Sequence, residues 1–531
     1  MQTREWDAVI IGGGVAGLSA AQMLGRARRR TLVLDDRAPR NRFAAHMHGV
    51  LGHDGIDPAA LLARGRDEAA AYGVLIESAT VSVVHDDRET LRIVRADGSE
   101  ERARAIVVAT GIRDDLPAIP GLAPLWGRSV LHCPYCHGWE VAGQRLGVLA
   151  TSPASIHQIE LVRQWSDDVT AFTALAEPLA PEVRARLIAR DIRIVSSPVH
   201  SALVEDGALT GLRDTDGIEH GIDALFVAPV PVIPVDFLAE LGLAHTDLPG
   251  EPITSDPVGA TSHPRVWAAG NVTAPFGNVP LSMGAGSMAG AAVNAALVAE
   301  DAALAVAQRR ALRSTERNAA WEQRYAAEER IWSGRVNATF AAVAGSLAPG
   351  TALDVGCGEG ADAVWLAEHG WQVTGVDVSP TAVRRATDAA RARGLSSDEV
   401  RFVSGDADDV LPASSPSRAD GDVRFDLVTA SFLHSWEPDF PRYELLRAAA
   451  ARVAPGGHLL VISHAAPPPW VHELPAEAPP MHSPSEELTL LGLDAAIWTP
   501  EIVEVRSRET TSPDGGHTHL DDGVLLLRRA G

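Results

Sequence analysis

The stretch His132-Cys133-Pro134-Tyr135-Cys136-His137-Gly138-Trp139-Glu140 sets two thiols three positions apart, with a histidine beside each. The only other cysteine is Cys357. Spacing alone leaves three readings open: a metal clip, an inert buried pair or a redox pair. Zinc needs four suitable ligands, and no second cysteine pair supplies them. Three cysteines in 531 residues are not a secreted disulfide framework. A reducing cytoplasm is the expected compartment, and there a CxxC is more often catalytic or metal-binding than structural. A helix N-terminus beside His137 favours a thiolate, and a histidine can take a thiol proton at neutral pH. Cys133, Cys136 and His137 are the candidate catalytic residues.

Two glycine-rich turns supply a different chemistry. Gly12-Gly13-Gly14-Val15-Ala16-Gly17 satisfies GxGxxG, follows an apolar strand and opens a helix. Gly12 makes the tight turn, Gly14 lets a pyrophosphate approach the backbone, and Gly17 allows close helix–strand packing. The helix N-terminus favours the anion. Asp35 closes the second strand, where an acid bonds a ribose hydroxyl. This is a dinucleotide site, for NAD or FAD. Far downstream, Leu353-Asp354-Val355-Gly356-Cys357-Gly358-Glu359-Gly360 repeats the strand–turn–helix arrangement, with Asp377 ending the next strand.

The elements that position these residues read as α/β throughout. Strands are predicted over 7–11, 31–34, 81–85, 91–95, 105–109, 146–150, 168–172 and 266–269. Helices are predicted to about 28 and from about 283 to 299. An Ala/Arg-rich helical linker covers 302–319. A second α/β series follows, with strands over 352–355, 373–376, 400–403, 425–429 and 458–462. Residues 412–422 and 465–484 are Pro/Ser/Ala-rich and read as loops. At this length two or three domains are expected. The formal net charge of -23 disfavours nucleic acid as a partner. All 46 basic residues are arginine. The N-terminus runs straight into a strand without a signal-peptide pattern. No apolar run reaches about 18 residues, so no membrane span is expected.

Ile106-Val107-Val108-Ala109-Thr110-Gly111 and Val266-Trp267-Ala268-Ala269-Gly270-Asn271, taken with the CxxC stretch, make the first 300 or so residues resemble the low-molecular-weight thioredoxin reductases. The resemblance implies a two-dinucleotide-binding flavoprotein fold. An FAD domain (1–115 and 245–300) is split by an inserted CxxC-bearing domain (116–244). It implies FAD contacts from Gly12, Gly14, Gly17, Asp35, Thr110, Gly111, Gly270 and Asn271, with the helix start near Gly284–Gly286 facing the isoalloxazine. It also implies that Cys136 faces the flavin, that Cys133 exchanges with substrate, that His46 and His48 lie near the flavin, and that the chain is a homodimer. For those two histidines a plain surface loop is the alternative.

Three departures stand out. Asn271 replaces the usual Asp. His137 replaces the usual proton-carrying Asp, as in a dithiol-oxidising branch of the family. Gly147-Val148-Leu149-Ala150-Thr151-Ser152-Pro153-Ala154-Ser155 keeps only the first glycine of the NADPH loop, and no basic cluster follows residue 172. NAD(P)H is therefore doubtful as electron donor. The expected direction is oxidation of a small-molecule dithiol, with oxygen as final acceptor.

Residues 318–531, after a linker over 301–317, resemble the class I methyltransferases that use S-adenosylmethionine (SAM), a Rossmann-like fold. The resemblance implies SAM contacts from Asp354, Gly356, Gly358, Gly360, Asp377 and Asp406. The acid Asp354 is tolerated because SAM has no pyrophosphate and is cationic at its methionine end. Trp321, Trp332, Phe432, His434 and Trp436 are candidates for a lid or acceptor pocket. Cys357 reads as a packed residue. A dithiol oxidase joined to a thiol S-methyltransferase is the leading expectation. An NAD(P)H-dependent disulfide reductase joined to a methyltransferase, or a flavin sensor regulating methylation, are the alternatives.

Overall fold

The computed structural model describes residues 4–153, 155–405, 423–435, 440–471, 479–512 and 515–531. The chain divides into two compact units, Met1–Ala305 and Val306–Gly531.

In the first unit, strand Arg4–Ile11 is apolar at its end because both faces are covered: Ala8, Val9 and Ile10 are fully buried. It pairs in parallel with Thr31–Asp35 and Glu100–Val108. These belong to a seven-stranded sheet that Leu75–Ser78, Leu91–Arg95 and Val81–Asp86 extend. Its last member, Val266–Ala268, pairs in parallel with Glu100–Val108. Most of the intervening chain forms its own layer, a five-stranded parallel sheet in the order Arg193–Val195, Val169–Phe172, Leu146–Leu149, Ala224–Val227, Val130–Leu131. The chain leaves and returns through one antiparallel pair, Arg113–Asp115 with Val230–Val232. A three-stranded antiparallel sheet, Val199–Glu205, Ala208–Asp214 and Glu219–Gly221, was not expected from the sequence.

Helix Val15–Arg26 presents Ala16, Ala20 and Ala21 to the core. The later helix packs on it through backbone. A Cβ on Gly286 would stand 2.0 Å from the Ala16 carbonyl oxygen, and one on Gly290 2.7 Å from that of Ala20. That helix runs Val279–Ala327, so it starts before residue 283 and contains the whole of the expected linker. It also corrects the expectation that no stretch has membrane-spanning length and apolarity. One 18-residue window reaches a mean hydropathy of 1.4, because Ala and Gly dilute its charges. Its Ala289, Val293 and Leu297 lie in the core of the first unit.

The second unit is a seven-stranded sheet ordered Val400–Ser404, Gln372–Asp377, Thr351–Val355, Phe425–Ser431, Val453–His464, His517–Arg529, Trp498–Thr511. The first five are parallel and the last two antiparallel. Strand order reverses between Thr351–Val355 and Phe425–Ser431. A crevice forms at the carboxyl ends of strands at such a switch point. The closing hairpin was missed because its outer strand alternates charged with apolar residues on an exposed face.

Candidate active sites

The GxGxxG turn is shaped by three different constraints. Gly12 has φ +109°, and a Cβ there would stand 2.3 Å from the Ala109 carbonyl oxygen. A Cβ on Gly17 would stand 1.9 Å from the Gly12 carbonyl oxygen. Gly14 meets nothing within 4 Å. It sits at φ -74° as the helix N-cap, without a side-chain cap. Its glycine is required by neither backbone nor packing, which leaves an open face beside unpaired helix N–H groups, as a pyrophosphate requires.

Asp35 is buried against Gly13. Its carboxylate accepts from Arg37 N–H at 3.0 Å and from Arg66 Nη2 at 3.2 Å. Thr110 borders Gly12, and its buried Oγ1 has no partner, an orphan that a bound ligand would satisfy. Gly111 follows at φ +67°. Gly270, at φ +83°, lies against Ala16. The carboxyl ends of three parallel strands thus converge on one spot, and the residues present fit FAD. Two details differ from expectation. Asn271 spends its Nδ2 on the carbonyls of Ala274 and Gly277, at 3.0 and 2.8 Å. Gly286 faces the first helix rather than a flavin, because the helix begins earlier than the sequence suggested.

Cys133 caps the short helix Pro134–His137, and Cys136 N–H donates to its carbonyl at 3.1 Å. Both thiols are free and part-buried. The hydrogen bond from Cys136 draws the Cys133 thiol down to about 7 against the opposing effect of burial, with help from backbone N–H groups and Arg40. The same bond, with burial, pushes Cys136 well up. Cys133 is therefore the thiolate of the reduced pair. Burial draws His137 below its ordinary value, with Glu140 opposing and His48 assisting.

Sequence reasoning missed the cation behind this pair. Arg40 makes a two-pronged contact with the buried Asp114, at 2.8 and 2.7 Å, and donates to the Pro275 carbonyl. Its Nη2 lies 3.3 Å from His132 Nδ1. Burial and Arg40 together draw His132 down to about 4, so it stays neutral. Only long-range pairing brings residues 40, 114 and 132 together. Of the two loop histidines, His48 reaches the turn after the cysteine helix, with Nε2 3.3 Å from Glu140. His46 turns to the Gly55 carbonyl.

The loop after Leu146–Leu149 has closed on itself. Thr151 N–H donates to Ser155 Oγ at 3.1 Å and Ser155 N–H to the Ser152 carbonyl at 2.9 Å. Thr151 Oγ1 bonds the Ala228 carbonyl. Beyond the next strand, Glu177 occupies the position where a 2′-phosphate would need a base. It accepts from Thr173, Ser196, Arg184 and Leu179 N–H. These residues do not fit NADPH.

In the second unit Gly356, Gly358 and Gly360 all have positive φ. A Cβ on Gly360 would stand 2.7 Å from that of Ala386. Asp377 accepts Gly358 N–H and Ser379 N–H, each at 2.9 Å, which uses one lone pair on each oxygen and leaves the other. Burial pushes its carboxyl up. Asp354 is fully enclosed, accepts from Thr429 Oγ1 at 2.8 Å, and is pushed up to about 7 by burial and by Asp362. Carboxylates crowded this way gain from a cation, and the site fits the sulfonium end of SAM. Asp406 and Trp436 lie outside the described residues. Cys357 is part-buried, and its thiol is pushed well up by desolvation and by Asp377 and Asp354.

The end of the long helix covers this turn. Tyr325 OH would stand 3.0 Å from a Cβ on Gly358, and it accepts from Trp332 Nε1 at 3.0 Å. Glu322 ties down Ser379 and Thr381. Glu359 takes the backbone N–H groups of Ile331 and Trp332. Trp321 packs on Tyr325. Phe432 and His434 gather around His464, with ring centroids 4.6 and 5.3 Å away. Phe432 holds φ +53°, a strained value of the kind found at functional sites. Burial, His464, Arg442 and Arg324 draw His434 down to about 4.

Fold and sites together define a disulfide oxidoreductase joined to a methyltransferase. The sequence matches the family described as pyridine nucleotide-disulphide oxidoreductase over residues 6–297, and the chain belongs to that family. It carries a methyltransferase domain match over residues 352–457. The thioredoxin reductase tcpT of Claviceps purpurea is 32% identical over 308 residues, which cover 55% of this chain and 95% of that one. The thioredoxin reductase sirT of Leptosphaeria maculans is 31% identical over 307 residues, 54% and 93%. Among solved structures, HlmI superposes with a TM-score of 0.55 at 42% identity, covering 58% of this chain and 97% of its own. An oxidoreductase from Agrobacterium tumefaciens gives 0.53 at 35%, covering 55% and 99%. The protein is an enzyme, a thioredoxin reductase-like flavoprotein fused to a methyltransferase. Its family implies FAD, and its methyltransferase domain implies SAM.

Proposed function

We propose that the first unit oxidises small dithiols with the Cys133–Cys136 pair, FAD and oxygen. The second unit methylates a small-molecule thiol with SAM, the other fate open to a reduced substrate. FAD supplies a two-electron acceptor, and SAM an electrophilic methyl group. A substrate thiolate attacks the Cys133 sulfur of the closed pair, and Cys136 leaves and is protonated by His137. The second substrate thiol closes the product disulfide and expels Cys133, whose lowered pKa makes it the better leaving group. The reduced pair is then reoxidised, and oxygen takes the electrons. A cytoplasmic, homodimeric protein acting on small molecules, apart from nucleic acid and membranes, belongs to the same proposal.

The self-closed loop at Thr151–Ser155 carries this reading. A pyrophosphate there would compete with internal acceptors for the N–H groups it needs. The relatives' name, thioredoxin reductase, favours a second reading, an NAD(P)H-dependent disulfide reductase. Flavin absorbance followed without oxygen decides between them. Bleaching by a simple dithiol alone, with colour returning in air, is the expected result. Rapid bleaching by NADPH or NADH overturns the oxidase.

A further inference from the structure

Methylating a thiol removes a proton as well as adding a methyl group, so the acceptor side of the SAM turn needs a base. Two imidazoles stand beside it. Leu433 borders the turn, since a Cβ on Gly356 would stand 2.9 Å from its Cδ1. Its neighbours Phe432 and His434 follow strand Phe425–Ser431, and His464 ends the adjoining strand Val453–His464. Both strands turn their carboxyl ends to the crevice. Phe432 N–H donates to the Ile462 carbonyl at 2.8 Å, which ties the two ends together. The rings of Phe432 and His434 both meet that of His464.

Of the two imidazoles, His464 has a carboxylate set against it. Asp522 stands directly opposite on the antiparallel strand His517–Arg529, so the two side chains share a face of the sheet. Asp522 is fully buried. Its Oδ2 accepts from Arg508 Nε at 2.7 Å, Thr339 Oγ1 at 2.9 Å and Asn337 Nδ2 at 3.3 Å. Its Oδ1 has no hydrogen-bond partner among the described residues, and neither has the buried Nδ1 of His464. Two buried polar atoms left unpaired on facing residues are satisfied together, by one bond or one bridging water. Joined so, Nδ1 carries the hydrogen and Nε2 the lone pair. The ring as a whole is only part-buried, so the edge it presents outward is the one bearing Nε2. Arg508 on Trp498–Thr511 and Arg442 on the helix Arg442–Ala451 oppose its protonation, and Asp522 favours it. Arg442 is itself held by the buried Glu487, at 3.1 and 2.6 Å. Among the described residues, the charged groups acting on His434 are cationic, Arg442 and Arg324, which makes it the weaker base of the two.

We propose that His464, oriented by Asp522, is the general base that takes the proton from the acceptor thiol of the methyltransferase. The S–H bond breaks toward His464 Nε2. The electron pair of the acceptor sulfur forms the new S–C bond to the methyl group, and the pair of the broken C–S bond neutralises the sulfonium sulfur. Nothing is oxidised or reduced. The Asp522 carboxylate stabilises the imidazolium until its proton passes to water. The inference rests on the acceptor being a thiol.

The test uses the full chain and two thiols, 4-nitrobenzenethiol, which is ionised at neutral pH, and benzyl mercaptan, which keeps its proton there. His464→Asn is expected to slow methylation of benzyl mercaptan about a hundredfold more than that of 4-nitrobenzenethiol, the size of a lost general base. Equal slowing of both overturns the base, because it marks lost packing, and so does parental speed with both. A second measurement needs no SAM. Diethyl pyrocarbonate acylates neutral imidazole, and peptide mass spectrometry reads its addition to His464 as pH is varied. The midpoint of that profile should fall by about one unit in Asp522→Asn, the size of one removed neighbouring charge. An unmoved midpoint in a folded Asp522→Asn overturns the pairing. Should that variant not fold, a His464 midpoint in the parent at or below that of His434 overturns it instead. A parent that methylates neither thiol overturns the thiol reading itself, a different failure from either.

Discussion

Two strand–turn–helix segments in the first unit differ in what they do with their backbone. At Gly12–Gly17 the glycines serve packing and leave the face at Gly14 bare. At Ala150–Ser155 side chains have folded back. Ser155 Oγ and the Ser152 carbonyl take the N–H groups, and Thr151 Oγ1 fastens the turn to Ala228. The fold is the same in kind. A nucleotide site can thus be lost without being filled by bulk, by giving its donors partners of their own. Each such bond is worth about 1 kcal/mol, and a ligand must replace it before gaining anything.

The comparison can be broken in several places. Replacing Cys133 by Ser should lower dithiol-driven bleaching by about a thousandfold or more, since it removes the nucleophile, while SAM binding by calorimetry stays as in the parent. Next in size is Gly14→Val. Its φ of -74° suits valine, so the chain should fold, shown by an unchanged circular dichroism spectrum. The side chain would fill the open face, and flavin retained through purification should fall about tenfold. If flavin binds normally, the open face is not the cofactor's.

A third measurement contrasts the flavin turn with the SAM turn. Asp354 is pushed up to about 7 and Asp362 to about 6, each chiefly by burial. SAM should favour their ionised forms. Its affinity should therefore fall about tenfold from pH 8 to pH 6, with proton release on binding that calorimetry in buffers of different ionisation heat reads directly. The sign for the ligand-free chain is opposite. Folded-state pKa values above the unfolded ones add stability that is full below about 4 and lost as pH rises through about 7, so thermal unfolding of the second unit should shift upward from pH 8 to 6.5. The smallest effect is expected for Asn271→Asp. It sets a carboxylate against the Ala274 and Gly277 carbonyls and should cost about 1–3 kcal/mol by denaturant titration of the flavin-free chain.

The glycine turns, the cysteine pair and the positions of the parallel strands along the chain were legible because each is a local constraint. Positive φ at Gly356 or the absent Cβ at Gly17 acts within a few residues, and a sequence records it directly. The loop at 147–155 was legible for the same reason, through its missing glycines. Arg40, Asp114 and His132 were not, since they lie on a short 3-10 turn, a strand and the residue after another strand, and only the tertiary fold brings them together. Tyr325 and Glu322 lie between the lid candidates Trp321 and Trp332, but no motif marks them, and only the fold sets them against Trp332 and Ser379. In the hairpin Trp498–Arg529 the outer strand mixes charged with apolar residues on an exposed face, which hid it.

The ending of the long helix bears on descent. Glu322, Tyr325 and Trp332 precede the first strand of the methyltransferase sheet, yet they touch Ser379, Gly358 and Glu359. A recombination event that swapped in a new methyltransferase at its first strand would leave behind part of the catalytic pocket of the old one. A cut that keeps these contacts within the second unit must fall upstream of residue 317, where the helix is exposed over residues 302–309.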